Sequence, residues 1–86
     1  MGKPLHVLIV EDLEDDAVLL VRHLERGGFE PVSERVDDAQ SMSAALAAKT
    51  WDVILCDYRM PEFSVAAALA LVNGAGLDIP FIVVSG

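Results

Sequence analysis

Hydrophobic residues occur as short unbroken runs along the chain, separated by segments with helical periodicity. The runs predict four strands, at residues 5–10, 29–36, 53–56 and 79–84. Three of them do not alternate with polar residues, which is typical of strands buried on both faces of a parallel sheet. The second run contains Pro31 and charged residues, and this composition favours a position at the edge of the sheet.

The segments between the strands have the apolar spacing and the end signals of helices. Asp37 is the expected N-cap of the second helix, with Gln40 as its capping-box partner. Ser64 is the expected N-cap of the third helix, which is almost wholly apolar and should therefore be buried on more than one side. The predicted helices span residues 17–26, 38–49 and 65–73.

This alternation of strands and helices predicts a single α/β domain over residues 1–86. Right-handed crossovers produce a parallel sheet with helices on both faces. With the second strand at the edge, the expected strand order is 2-1-3-4, a flavodoxin-like arrangement. Its topological switch point lies between the first and third strands, where ligands of such sheets bind.

Polar residues follow three of the predicted strands directly. Glu11 and Asp12 follow the first strand, Asp57 the third and Ser85 the fourth. Because the carboxyl ends of parallel strands share one edge, we expect these residues to converge there. Taken alone, Asp57 is also compatible with an ordinary turn at the end of a strand. Three adjacent carboxylates repel one another, however, and this favours a bound cation, of which Mg²⁺ best suits oxygen ligands.

Composition narrows the class of protein further. The formal net charge of −8, from 14 acidic and 6 basic residues, disfavours binding to nucleic acid or to anionic membranes. The single cysteine, Cys56, lies inside an apolar run and is expected to be a buried core thiol. One cysteine excludes an internal disulfide and favours the reducing cytoplasm. The apolar runs are too short for a membrane span.

Three segments resemble the signature segments of response-regulator receiver domains of two-component signalling. They are residues 10–12 (VED), 57–61 (DYRMP) and 82–86 (IVVSG), and they occur in the order and spacing of that family. The resemblance extends through all 86 residues. It implies a signalling module of a phosphorelay that accepts a phosphoryl group from a histidine kinase or phosphotransfer protein. Such a module is not an enzyme beyond its own phosphorylation and dephosphorylation.

The resemblance also implies a role for each matching residue. Asp57 corresponds to the phosphoacceptor, and Asp12 to the carboxylate that binds Mg²⁺ directly. Glu11 corresponds to the acid that acts on the metal largely through water. Arg59 occupies the position whose backbone carbonyl completes the metal shell, and Ser85 matches the hydroxyl that contacts the phosphoryl group.

The sequence departs from the family pattern after the fourth strand. A full receiver continues with a helix, a fifth strand that ends in lysine, and a last helix. We therefore expect a receiver domain that is incomplete at its C-terminus, with the edge of strand 79–84 or one sheet face uncovered. Such an edge favours pairing with another chain, and we expect a homo-oligomer.

Two other classes of function remain open. One is an interaction or dimerisation module that keeps the receiver fold without phosphotransfer. The other is a small phosphohydrolase that uses an aspartyl phosphate, although residues 11–13 lack the Asp-x-Asp spacing usual in such enzymes. Nucleotide or flavin binding is disfavoured, because residues 13–16 contain acids and no glycine.

Overall fold

The computed structural model of the chain describes residues 2–84. Strands and helices alternate strictly, and each helix connects two parallel strands of one sheet. The elements are β1 (Lys3–Val10), α1 (Glu14–Arg26), β2 (Phe29–Val36), α2 (Ala39–Ala48), β3 (Val53–Asp57), α3 (Val65–Gly74) and β4 (Phe81–Val84).

The four strands form one parallel sheet in the order β2-β1-β3-β4, which confirms the predicted α/β topology. Val10 pairs with Val36 on one side and with Cys56 on the other. Because residues 10 and 56 are level, the residues that follow them, Glu11 and Asp57, emerge together at the carboxyl edge. The register of the sheet therefore determines where the acidic residues meet.

The sheet is covered on both faces, and its two central strands form the core. On one face, α2 and α3 contribute the buried side chains of Met42 and Ala68. On the other face, α1 contributes Ala17, which packs with Val7 and Ile9 of β1. Burial of this kind contributes roughly 25 cal/mol for each Å² of apolar surface removed from water. The core thus holds β1 and β3 rigidly side by side.

Helix α1 begins earlier than its apolar spacing predicts. The expected start was Ala17, whereas Glu14, Asp15 and Asp16 form the first turn. Carboxylates are favoured there by the positive end of the helix dipole. Leu13 is the N-cap and makes no side-chain capping bond. Acidic residues that a hydrophobic pattern assigns to a loop are therefore part of the helix.

The N-cap of α2 is Asp38, so the prediction of Asp37 was wrong by one residue. The Asp38 side chain accepts a hydrogen bond from the backbone N–H of Ser41 at 2.7 Å. The Ser41 hydroxyl accepts one from the N–H of Asp38 at 3.4 Å and takes the place predicted for Gln40. Asp37 instead forms an ion pair with Arg35 at 3.7 Å.

Helix α3 is capped as predicted and is less buried than predicted. The Ser64 hydroxyl accepts a hydrogen bond from the N–H of Ala67 at 3.0 Å. Ala68 and Val72 are the buried residues of this helix, while Leu69 is 39% exposed. Within residues 2–84, the expectation of burial on more than one side was therefore wrong. Neither α3 nor any other described helix has the length and apolar character of a transmembrane span.

The two edge strands differ in how well they resist pairing with another chain. Strand β2 carries Glu30, Pro31 and Glu34, and both charge and proline discourage edge-to-edge association. Strand β4 has neither charge nor proline, and its Ile82 and Val83 are 50% and 45% exposed. If this chain self-associates through a sheet edge, β4 is the edge that its composition favours.

We expect the 86-residue chain to form dimers through β4, and Val83→Lys to shift them toward monomer, because a charge on this edge disfavours pairing. Sedimentation velocity over a concentration series measures the shift. Val32→Lys is the matched control, since Val32 is 53% exposed on the opposite edge strand. A folded wild-type chain that stays monomeric at high concentration would contradict the prediction.

Candidate metal centre

Three carboxylates converge at the carboxyl edge of the sheet. Glu11, Asp12 and Asp57 each offer an oxygen atom, and these atoms all lie within 4.8 Å of one another. Glu11 is buried, Asp57 is half-buried and Asp12 is exposed. The group therefore has one side embedded in the protein and one side open to solvent. That arrangement suits an ion that must also contact a second molecule.

Hydrogen bonds hold Glu11 at both its backbone and its side chain. Its N–H donates to the carbonyl of Val36 at 2.9 Å, and its carbonyl accepts from Nη1 of Arg35 at 3.2 Å. Its Oε1 accepts from the N–H of Leu13 at 3.1 Å. With 2% exposure, Glu11 is the one buried charged residue of residues 2–84. The loop between β1 and α1 is thus tied to the end of β2.

Burial raises the pKa of Glu11 from 4.5 to about 7, because the charged form loses solvation. The N–H of Leu13 acts in the opposite direction and lowers this pKa. The neighbouring carboxyl groups of Asp57 and Asp12 raise it further. At neutral pH and without a cation, Glu11 therefore carries a proton for much of the time. A cation beside it would favour the charged form.

The donor set fits Mg²⁺ better than a transition metal. All three side chains present oxygen, which Mg²⁺ prefers, and Mg²⁺ typically uses one or two carboxylates together with water. Zinc sites in proteins are built mainly on cysteine and histidine, and neither residue type belongs to this cluster. Asp12, exposed at the open side, leaves room for water molecules and a further ligand.

Cys56 lies directly before Asp57 and is fully buried. Burial, reinforced by the charges of Asp57 and Glu11, raises its pKa to about 11. The thiol is therefore protonated at neutral pH and is neither a nucleophile nor a metal ligand there. Its packing in the core is the role that the sequence predicted for it.

The structure gives less information on the other two residues that the sequence assigned to the site, Arg59 and Ser85. Arg59 lies exposed, two residues after β3, and the role assigned to its backbone carbonyl stays a prediction. Ser85 lies outside the described residues. The peptide after Asp57 is fixed nevertheless, because the N–H of Tyr58 donates to the carbonyl of Val84 at 3.0 Å.

The sequence pattern missed one residue that contacts the site. Arg35 indicated an edge strand, and nothing in its spacing pointed to the loop after β1. The register places it beside Ile9, close to the carboxyl edge. Its contact with the carbonyl of Glu11 follows from that placement. The available signal in the sequence was a charged residue near the end of a predicted edge strand. Such a charge is more simply explained as protection of that edge against pairing with another chain.

Comparison of the chain with protein-family models gives no match, and comparison with curated proteins gives none either.

Asp57→Asn is expected to stabilise the metal-free protein by about 1 kcal/mol, because it removes a negative charge that lies beside Asp12 and the partly protonated Glu11. The free energy of unfolding in urea, with a chelator present, measures this effect. Addition of Mg²⁺ should reduce the difference in free energy of unfolding between Asp57→Asn and the wild type, since the ion offsets the repulsion among the carboxylates of the wild type. Asp78→Asn is the control, as Asp78 is an exposed carboxylate that precedes β4. Destabilisation by Asp57→Asn would contradict the prediction.

The metal-free protein should lose stability as pH rises from about 4.5 to about 7. In this window folded Glu11 retains a proton that the unfolded chain releases, so the folded state binds more protons. The full shift corresponds to about 3 kcal/mol. Unfolding midpoints over a pH series measure the slope.

Glu11→Gln should remove this pH dependence, and Mg²⁺ should reduce it in the wild type. Asp38 and Asp52 do not interfere, because hydrogen bonds lower their pKa values and place their titration below the window. An unchanged slope in Glu11→Gln would show that another group is responsible.

Proposed function

We propose that the chain is a phosphoacceptor receiver module of a two-component phosphorelay. In this proposal Asp57 accepts a phosphoryl group from a histidine kinase or phosphotransfer protein, with Mg²⁺ as the cofactor. The observation that carries it is the convergence of the oxygens of Glu11, Asp12 and Asp57 within 4.8 Å of one another. The convergence lies at the carboxyl edge of a parallel sheet, where ligands of such folds bind.

The proposed reaction needs a carboxylate that is held in place and open to a donor. Asp57 is the last residue of β3 and is half-buried, so its backbone is fixed while its side chain stays accessible. One of its oxygens attacks the phosphorus of a phosphohistidine and forms the new O–P bond. The N–P bond breaks, its electron pair stays on the imidazole nitrogen, and that nitrogen takes a proton from water.

The acidic pair has a supporting role in this scheme. Asp12 and Asp57 would bind the metal directly, Glu11 would act through water, and the carbonyl of Arg59 would complete the shell. When bound, Mg²⁺ neutralises the negative charge that builds up between the carboxylates and the phosphoryl oxygens. The hydroxyl of Ser85 is proposed to contact the transferred group.

The proposed partners follow from charge and from the site. The donor is another protein that carries a phosphohistidine, and a net charge of −8 disfavours nucleic acid or an anionic membrane as a partner of this domain. A cytoplasmic location is proposed because the free thiol of Cys56 is a structural core residue. The module transmits a signal, and its own phosphorylation and dephosphorylation are its only reactions.

Incubation with acetyl phosphate and Mg²⁺ should add one phosphoryl group to Asp57. Intact-mass and peptide mass spectrometry locate the addition, and hydroxylamine should remove it, as expected of an acyl phosphate. Asp57→Asn and omission of Mg²⁺ should each reduce labelling to background. Asp78→Asn, which removes an exposed carboxylate before β4, should label normally.

Failure of labelling, or turnover of other phosphate compounds in a separate assay, would favour the other two classes. A chain that folds and binds partners without being labelled would be an interaction module with a receiver fold. Sustained release of phosphate from small phosphoesters, dependent on Asp57, would indicate a phosphohydrolase. Either result would overturn the proposed phosphoacceptor function.

A further inference from the structure

We infer that Arg35 is a positioning residue for the acidic site, and that it acts through the backbone of the loop between β1 and α1. The inference rests on the proposed function, because this loop carries two of the carboxylates assigned to Mg²⁺. It assigns to β2, which provides none of those carboxylates, a part in holding the metal site.

Arg35 reaches the loop from the neighbouring strand. It pairs with Ile9 in the sheet, one position before the carboxyl end of β2. Its Nη1 donates to the carbonyl oxygen of Glu11 at 3.2 Å and lies 3.7 Å from Oδ2 of Asp37. The side chain is 35% exposed, so it is partly shielded from solvent. Asp37 thus helps to keep the guanidinium where it can contact the loop.

This hydrogen bond bears on the direction of Asp12. The carbonyl of Glu11 and the N–H of Asp12 belong to the same planar peptide unit. A donor that fixes this carbonyl therefore also fixes the peptide plane from which the Asp12 side chain departs. On the other side of Glu11, its N–H donates to the carbonyl of Val36 at 2.9 Å. Glu11 is thus held to the end of β2 through both of its backbone polar atoms.

Removal of the Arg35 side chain should change the affinity for a divalent cation in opposite directions, depending on whether its charge or its hydrogen bond to the loop dominates. A positive charge near the carboxylates repels a divalent cation, so its loss should strengthen metal binding if charge dominates. If Arg35 holds the loop, its loss should weaken metal binding because Asp12 departs from its position. A third interpretation is that Arg35 merely discourages edge pairing of β2, and then metal binding should not change.

The test compares Arg35→Met, Arg35→Lys and the unchanged chain. Mn²⁺ binding by electron paramagnetic resonance and Mg²⁺ binding by calorimetry should both be about 10-fold weaker in Arg35→Met, at the lower end of the effect of outer-shell partners. Arg35→Lys should recover part of the affinity, because its ammonium can still donate to the carbonyl. Lys49→Met is the control, since Lys49 pairs with Glu34 at 3.2 Å and makes no described contact with the loop.

A second measurement needs no metal. Amide hydrogen exchange at Glu11 and Leu13, both of which donate hydrogen bonds in this loop, should be faster in Arg35→Met than in the control. Exchange in the core strand β3 should be unchanged, which separates a local loosening from a general loss of stability.

The outcomes distinguish the inference from the proposed function. Unchanged or tighter metal binding in Arg35→Met, with unchanged loop exchange, would overturn the positioning role and leave the phosphoacceptor proposal intact. If the wild-type chain binds neither Mn²⁺ nor Mg²⁺, both the proposed metal-dependent function and the positioning role of Arg35 would be overturned. Weaker binding together with faster loop exchange supports the inference.

Discussion

The parallel pairing of β1 with β3 is the constraint on which the acidic cluster depends. Val10 and Cys56 lie level in this pairing, and the carboxylates begin at the next residue of each strand. A slip of one residue would exchange the two faces of a strand and bury the wrong side chains, so the hydrophobic core prevents it. Apolar packing therefore sets the distance between Glu11 and Asp57.

The same burial that fixes the cluster makes it responsive to protons and to cations. Glu11 is 2% exposed, and its pKa is raised to about 7, mainly because its charge loses solvation. A proton on Glu11 relieves the repulsion among the carboxylates, and a divalent ion would relieve it as well. Because the two compete, binding of a cation to this site should release protons near neutral pH. Stability, metal binding and phosphoacceptor chemistry would then depend on the same group.

The edge strand β2 has a larger part in the site than its composition indicates. Its proline and its charges mark it as the protected edge of the sheet. Its carboxyl end also provides the carbonyl of Val36 and the guanidinium of Arg35, and both bond to the backbone of Glu11. Protection of the edge and support of the site are therefore combined in one short segment.

The order and direction of the strands were predictable, because unbroken apolar runs are typical of parallel strands covered by helices, and right-handed crossovers leave few topologies. The exposure of β4, whose run is apolar as well, does not follow from that pattern. Strands that end in acid then implied that Glu11, Asp12 and Asp57 meet at one edge. The raised pKa of Glu11, the choice of Asp38 over Asp37 as N-cap and the contact of Arg35 were not predictable. Each depends on how far apart atoms lie once distant segments pack, and a one-dimensional pattern of residue types contains no such distances.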